Sequence, residues 1–175
     1  MLGTDIFTGY TPNTHATVTT RVLEAGGIIT GKAVCENMSM WGNSCTAATG
    51  PLNNPWAEGF SAGGSSSGTT VLVAKGLTWG GIGGDQGGSI RIPAAMSGLV
   101  GLKPTTGLVP YTGIASLESL IDHTGPMSKS VLDNALILQA IAGADGIDDR
   151  QQVGKFQNVP TCRALTRIGW LSLPR

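Results

Sequence analysis

Charge is scarce in this chain. Only 13% of its 175 residues are Asp, Glu, Lys or Arg, against about a quarter in ordinary soluble domains. Eleven basic residues balance eleven acidic ones and are scattered, which leaves no electrostatic footprint for a nucleic-acid backbone or an anionic membrane. Long apolar runs are missing too. The longest, Val131 to Ala144, is interrupted by Asp133, Asn134 and Gln139, whereas a span needs about 20 apolar residues. The opening MLGTDIFTGY lacks the basic start and apolar run of a secretory signal. The three cysteines, Cys35, Cys45 and Cys162, show no CxxC or other ligand spacing, and the two histidines lie far from them and from each other. The expectation is reduced, mostly buried thiols in a cytoplasmic setting, with no metal centre and no cofactor.

What the chain has instead is glycine. There are 27 glycines and 9 prolines, and glycine usage is about double the ordinary 7%. Together they stop short of low-complexity composition, and 41% apolar residues can build a core, so one globular domain is expected. Residues 13–26 carry Ala16, Val18, Val22, Leu23 and Ala25 between Asn13, a candidate cap, and the Gly26-Gly27 stop, which predicts an amphipathic helix. The β-branched run Gly27-Ile28-Ile29-Thr30 predicts a short strand after it, giving an α/β rhythm. Residues 42–64 have no period and predict a long irregular connection of the kind that is often functional. A helix is predicted over 66–75, short strands over 77–84 and 99–102, and a helix beginning at the capping box Ser130-Val131-Leu132-Asp133 and closing at Gly143.

Two clusters could carry chemistry: Gly63-Gly64-Ser65-Ser66-Ser67-Gly68 and Gly83-Gly84-Asp85-Gln86-Gly87-Gly88-Ser89. Glycines beside a serine clear the approach for a ligand, and successive backbone N–H groups can converge on an anion. The plain alternative is tight turns with serine as a helix cap. A phosphate loop at Gly26–Gly31-Lys32 fails because Ala33 stands where a hydroxyl must meet magnesium, and because the helix precedes it. No complete GxGxxG exists. Gly64-Ser65-Ser66-Ser67-Gly68 matches the G-x-S-x-G elbow of α/β-hydrolases, which would make Ser66 the nucleophile. Adjacent Asp122 and His123 point to opposite faces of an extended segment, however, and cannot readily act as its acid and base.

Taken together, the two clusters, the continuation Ile90-Arg91-Ile92-Pro93-Ala94-Ala95 and the run Gly98-Leu99-Val100-Gly101-Leu102-Lys103-Pro104-Thr105 closely resemble the signature of the amidase signature family. The resemblance extends through Asn54-Pro55-Trp56, Gly107 to Gly113 and Ile121 to Met127, and is strongest over 10–150, with 151–175 a weakly matched tail. Asp85-Gln86 and Tyr111-Thr112-Gly113 are similar to the general amidase branch. The resemblance implies an α/β fold with a mixed β-sheet flanked by helices. It further implies hydrolysis of small-molecule amides through a serine acyl-enzyme, with a homodimer as an expected assembly of the full-length protein. Ser89 matches the nucleophile of a Ser-Ser-Lys triad, and Ser65 the bridging serine preceded by a cis peptide. The backbone N–H groups of Gln86, Gly87, Gly88 and Ser89 match the oxyanion hole. Each hydroxyl is both donor and acceptor, so the second can pass on the proton of the first. Ser66 and Ser67 are expected to cap and line, although Ser67 departs from the family's usual glycine. Asp85 and Arg91 are expected to hold the turn, and Lys103 to be structural.

The family's lysine lies in an apolar-Lys-Asp context upstream of the helix that resembles residues 13–26. None of Lys32, Lys75, Lys103, Lys129 or Lys155 is followed by Asp. The chain is therefore expected to be an internal fragment of an amidase, truncated at both ends. A non-catalytic remnant is the competing class; exposed sheet edges would make it poorly soluble.

Overall fold

The computed structural model describes residues 2–151. The expectations placed on the 151–175 tail, beyond its first residue, and on Lys155 and Cys162 lie outside them. Among the described residues four α-helices and three strands follow the order α1 (Thr17–Glu24), α2 (Ser67–Ala74), β1 (Gly80–Asp85), α3 (Arg91–Met96), β2 (Val100–Gly101), β3 (His123–Ser128) and α4 (Val131–Ile141), with a single 3-10 turn at Asn37–Ser39 between α1 and α2. The sheet order is β1-β3-β2. Both pairings are antiparallel, with Gly80 opposite Ser128, Asp85 opposite His123, and Gly101 opposite Met127.

Helices cover both faces of this sheet, which makes it an α/β fold. The alternation of β1 decides which helix meets which residue. A Cβ on Gly81 would lie 2.5 Å from Thr69 Cγ2 of α2, while one on Gly80 would collide with Ile137 Cδ1 of α4. The glycine-rich sequence of β1 thus lets two helices sit closer than any side chain would permit. On the α2 side Ile90, Ala94 and Met127 form one buried cluster; on the other, Val18, Val109, Ile137 and Ile141 pack α1 onto α4.

The α4 start is as its sequence predicts. Ser130 Oγ accepts the Asp133 N–H at 3.1 Å and donates to Asp133 Oδ2 at 2.6 Å. At its other end the Arg21 guanidinium donates to the carbonyls of Ile141, Ala142, Gly143 and Ala144, a cation where the helix dipole is negative.

Several expectations are corrected. Helix α1 is shorter than 13–26, and Asn13 does not cap it; Ala16 precedes it without a side-chain bond, and the Thr17 N–H donates to Thr112 O at 3.1 Å. Residues 27–30 are not a strand. Ile28 is 86% exposed, and among the described residues no strand runs alongside to take its backbone hydrogen bonds. Strand β3, central to the sheet, was not expected, because Gly125 and Pro126 sit in its middle. Cys35 is a half-buried free thiol whose pKa burial raises, but Cys45 is exposed. Its N–H turns inward to Glu36 Oε1, which leaves its side chain outside.

Candidate active site

Strand β1 ends at Asp85, and the turn that follows is built on this carboxylate. Asp85 is fully buried. It accepts the N–H groups of Gly88 at 2.7 Å and Ile90 at 3.2 Å, and a two-pronged contact from Arg91, with Nε and NH2 each at 2.9 Å. Burial pushes its pKa up, yet the hydrogen bonds from Arg91, Ile90 and Gly88 outweigh that and hold the carboxyl below its ordinary range. As expected, Asp85 and Arg91 hold the turn.

Around that turn the structure brings the two serine clusters together. The Ser66 N–H donates to Ser89 O at 3.1 Å, and Ser65 and Ser89 are both buried. The Gly64–Ser65 peptide is cis. Neither the Ser65 nor the Ser89 hydroxyl has a hydrogen-bond partner among the described residues, nor are they bonded to each other. Catalytic hydrogen bonds often tighten only around substrate.

The four expected oxyanion donors divide. The Gly88 N–H is committed to Asp85 Oδ1, so it is corrected from donor to part of the turn's frame. The N–H groups of Gln86, Gly87 and Ser89 donate to no described acceptor, and Gly87 is exposed. Three unspent donors thus lie along the turn that carries the buried Ser89.

Two polar anchors escaped the sequence reading. Glu36, fully buried, accepts the N–H groups of Asn43, Cys45 and Thr46 and the Thr46 hydroxyl. Its own N–H donates to Ser65 O at 3.1 Å. It therefore ties the 37–46 loop to Ser65. It is the only charged residue between Lys32 and Glu58, and that isolation was a legible signal. The second anchor is Asp122, 4% exposed, which accepts from Gln86 Nε2 at 2.7 Å.

The elbow alternative is not favoured. The Ser66 hydroxyl donates to Gly84 O and accepts the Gly84 N–H, so it is a brace between α2 and β1 rather than a cap or a nucleophile. His123 Nδ1 donates to Ile121 O and its Nε2 faces Thr106 Oγ1, far from any role with Asp122. Ser67 Oγ, buried, has no partner and caps nothing. Lys32, Lys75 and Lys129 are exposed, and Lys103 Nζ donates to Pro104 O. None of them is a buried base. Among the described residues no cluster of His, Cys, Asp and Glu could hold a metal, and no helix is long and apolar enough to cross a membrane.

Comparison with known proteins places these features in one family. The chain is 48% identical over 167 residues to an enantioselective amidase of Rhodococcus rhodochrous, covering 94% of this chain and 32% of that protein. It superposes on a glutamyl-tRNA(Gln) amidotransferase polypeptide from Thermotoga maritima with a TM-score of 0.84 and 36% identity, over 86% of this chain and 33% of that one. For the peptide amidase of Stenotrophomonas maltophilia the values are 0.79, 38%, 84% and 31%. The chain thus spans about a third of the length of each. With the profile of the Amidase family matching residues 1–168, this chain belongs to the Amidase family.

Proposed function

We propose that this segment carries two residues of an amide-hydrolysing centre, Ser89 as nucleophile and Ser65 as proton relay. The observation that carries it is the turn at Gln86–Ser89, where the N–H groups of Gln86, Gly87 and Ser89 have no acceptor among the described residues and the serine that ends the turn is buried. In the first step Ser89 Oγ bonds to the amide carbonyl carbon while its proton passes to Ser65, whose own proton goes on to a lysine base outside the described residues. The carbonyl oxygen takes the negative charge, and the three unspent N–H groups stabilise it. As the C–N bond breaks, the amine leaves with a proton returned through Ser65; water then releases the acid from the ester and restores Ser89. The chemistry calls for no metal or cofactor. Small carboxamides are the substrate class, a cytoplasmic enzyme the setting, and a homodimer the assembly. Similarity to an enantioselective amidase makes a chiral carboxamide the first substrate to try.

Labelling with a serine-directed fluorophosphonate, together with amide turnover, tests this. Ser89→Ala is expected to abolish labelling and to cut turnover by at least about 10³-fold. Ser65→Ala should slow both, and Ser66→Ala should leave the labelled serine in place. Labelling that survives in Ser89→Ala and disappears in Ser66→Ala sinks the assignment.

A second reading has one observation behind it: every described lysine is exposed or tied to a carbonyl, so the base of a Ser-Ser-Lys triad is not among them. Sequencing the transcript upstream of Met1 and downstream of Arg175 separates the two. An open frame running into an apolar-Lys-Asp stretch supports the enzyme, and an in-frame stop just before Met1 supports a non-catalytic remnant.

A further inference from the structure

The oxyanion turn has a second support, outside the Asp85 frame. Gln86 supplies one of the three undonated N–H groups, and its side chain does not go to solvent. Gln86 Nε2 donates to Asp122 Oδ1 at 2.7 Å and to Tyr111 Oη at 3.4 Å. An ionised carboxylate can only accept, so the amide group must face Asp122 with its nitrogen. Its oxygen is then left buried without a donor, an orientation that only a dominant bond on the other side explains.

Asp122 is itself held rigidly. Its Oδ2 accepts from Ser116 Oγ at 2.7 Å and from the N–H groups of Leu117 and Glu118 at 2.9 and 3.1 Å. Its carbonyl accepts from Arg150, whose guanidinium stacks 4.8 Å from the Tyr111 ring centre. Asp122 immediately precedes His123, which pairs with Asp85 in the ladder. The turn is therefore clamped on one side by Asp85 and on the other by the start of β3.

We propose that Asp122 is a positioning residue for the oxyanion hole: by gripping the Gln86 side chain it fixes the rotation of residue 86, and with it the direction of the N–H groups that receive the carbonyl oxygen. This rests on the amide-hydrolysis reading above for its consequence in rate, though not for its geometry. Asp122 touches no substrate atom; it acts through Gln86.

The pair allows a polarity swap. Gln86→Glu sets two carboxylates against each other, and the side chain is expected to swing away. Asp122→Asn lets the Gln86 amide flip and accept from the new Nδ2, a mild change. Gln86→Glu with Asp122→Asn restores a donor and an acceptor in reversed order. Two readouts are taken on the full chain: kcat and KM for a carboxamide, and the ¹H–¹⁵N amide shifts of Gly87, Gly88 and Ser89. The expected result for Gln86→Glu is a fall in kcat of about tenfold or more with KM within about twofold, and displaced amide shifts. The double variant should recover most of both, and Asp122→Asn, which turns the Gln86 amide over, should displace the same amide shifts by less than Gln86→Glu does. If Gln86→Glu fails to fold, Asp122→Asn and the double variant still decide the matter by the same shifts. Unchanged shifts in Gln86→Glu, or no recovery in the double variant, overturn the proposal. If the protein supplied with its family's lysine-bearing segment turns over no amide, the hydrolysis reading is overturned instead, and the amide shifts then judge the Gln86–Asp122 clamp alone.

Discussion

At the scale of single residues, the site depends on one carboxylate more than on its cationic partner. Asp85 is fully buried while the Arg91 side chain is 52% exposed. Removing the arginine leaves the carboxylate with backbone N–H donors still in place and a water-accessible gap. Removing the charge leaves five donors aimed at a neutral amide, one arm of which is itself a donor. Asp85→Asn should therefore cost about 3 kcal/mol and Arg91→Ala only about 1 kcal/mol, compared by urea midpoints at pH 7. Equal losses would mean that the ion pair, not the N–H cradle, holds the turn. Tyr111 belongs to the same neighbourhood. Burial first, then the negative charge of Asp122, pushes its phenol up to about 12 against the opposing pull of Arg150 and Gln86. It stays a neutral hydroxyl throughout the working range and can keep accepting from Gln86.

At the scale of elements, what the sequence disclosed depended on whether the residues advertise their own backbone state. The helix at 131–141 was legible because its capping box and apolar spacing agree, and Ser66 to Lys75 was legible to within a residue. Strand β1 was legible only in part, since glycine has no strand preference of its own; it is extended because α2 and α4 need the space a side chain would fill. Strand β3 carries a Gly-Pro pair in mid-strand, and its pairing with residues some 40 positions away in sequence left no local trace. The same geometry makes a sharp test. A methyl on Gly81 would meet Thr69 at 2.5 Å, whereas on Gly84 the nearest atom is His123 O at 3.9 Å. Gly81→Ala should lose about 1–3 kcal/mol, while Gly84→Ala should be neutral or slightly stabilising. Thermal unfolding of the two side by side checks it, and a stable Gly81→Ala would mean that α2 is free to move off the sheet.

At the scale of the whole molecule, the serine and glycine clusters were legible because they are contiguous and carry a family's pattern, whereas the clamps joining them to the rest were not. Gln86 and Asp122 lie 36 positions apart, and Thr17 and Asp145 lie 128 apart; nothing in either neighbourhood announces the other. Carboxylates make three of these long ties, Asp122 to Gln86, Asp145 to Thr17 and Asp148 to the Tyr111 N–H, and these shape the response to acid. Asp145 accepts from Thr17 Oγ1 at 2.7 Å and from the N–H groups of Ile147 and Asp148 at 2.9 Å. Burial raises its pKa, but the Asp148 N–H first, then the nearby Thr112 hydroxyl, the Ile147 N–H and the Thr17 hydroxyl outweigh it and bring it down to about 2. Asp148, gripped first by Arg150 and then by the Tyr111 N–H against the opposing effect of burial, is also lowered, as is Asp85. A carboxyl whose folded pKa lies below its unfolded value contributes stability that is fully present above the unfolded value, near 4, and lost as pH falls through the folded one. For Asp145 the integral is at most about 2.5 kcal/mol. The unfolding midpoint should thus be flat from pH 8 to about 5 and fall steeply between about 4 and 2. Arg91 and Arg150 are raised above their ordinary range by Asp85 and Asp148; these are the same ion pairs seen from the cationic side, so they are lost with the carboxylates and add no separate feature to the acid profile. Thr17→Val removes one bond to Asp145 and should lower the neutral plateau by about 1 kcal/mol while leaving the acid limit where it was. A variant that shifts both ends of the profile equally would show that Thr17 stabilises by packing, and that the carboxylate of Asp145 is not what joins α1 to the segment after α4.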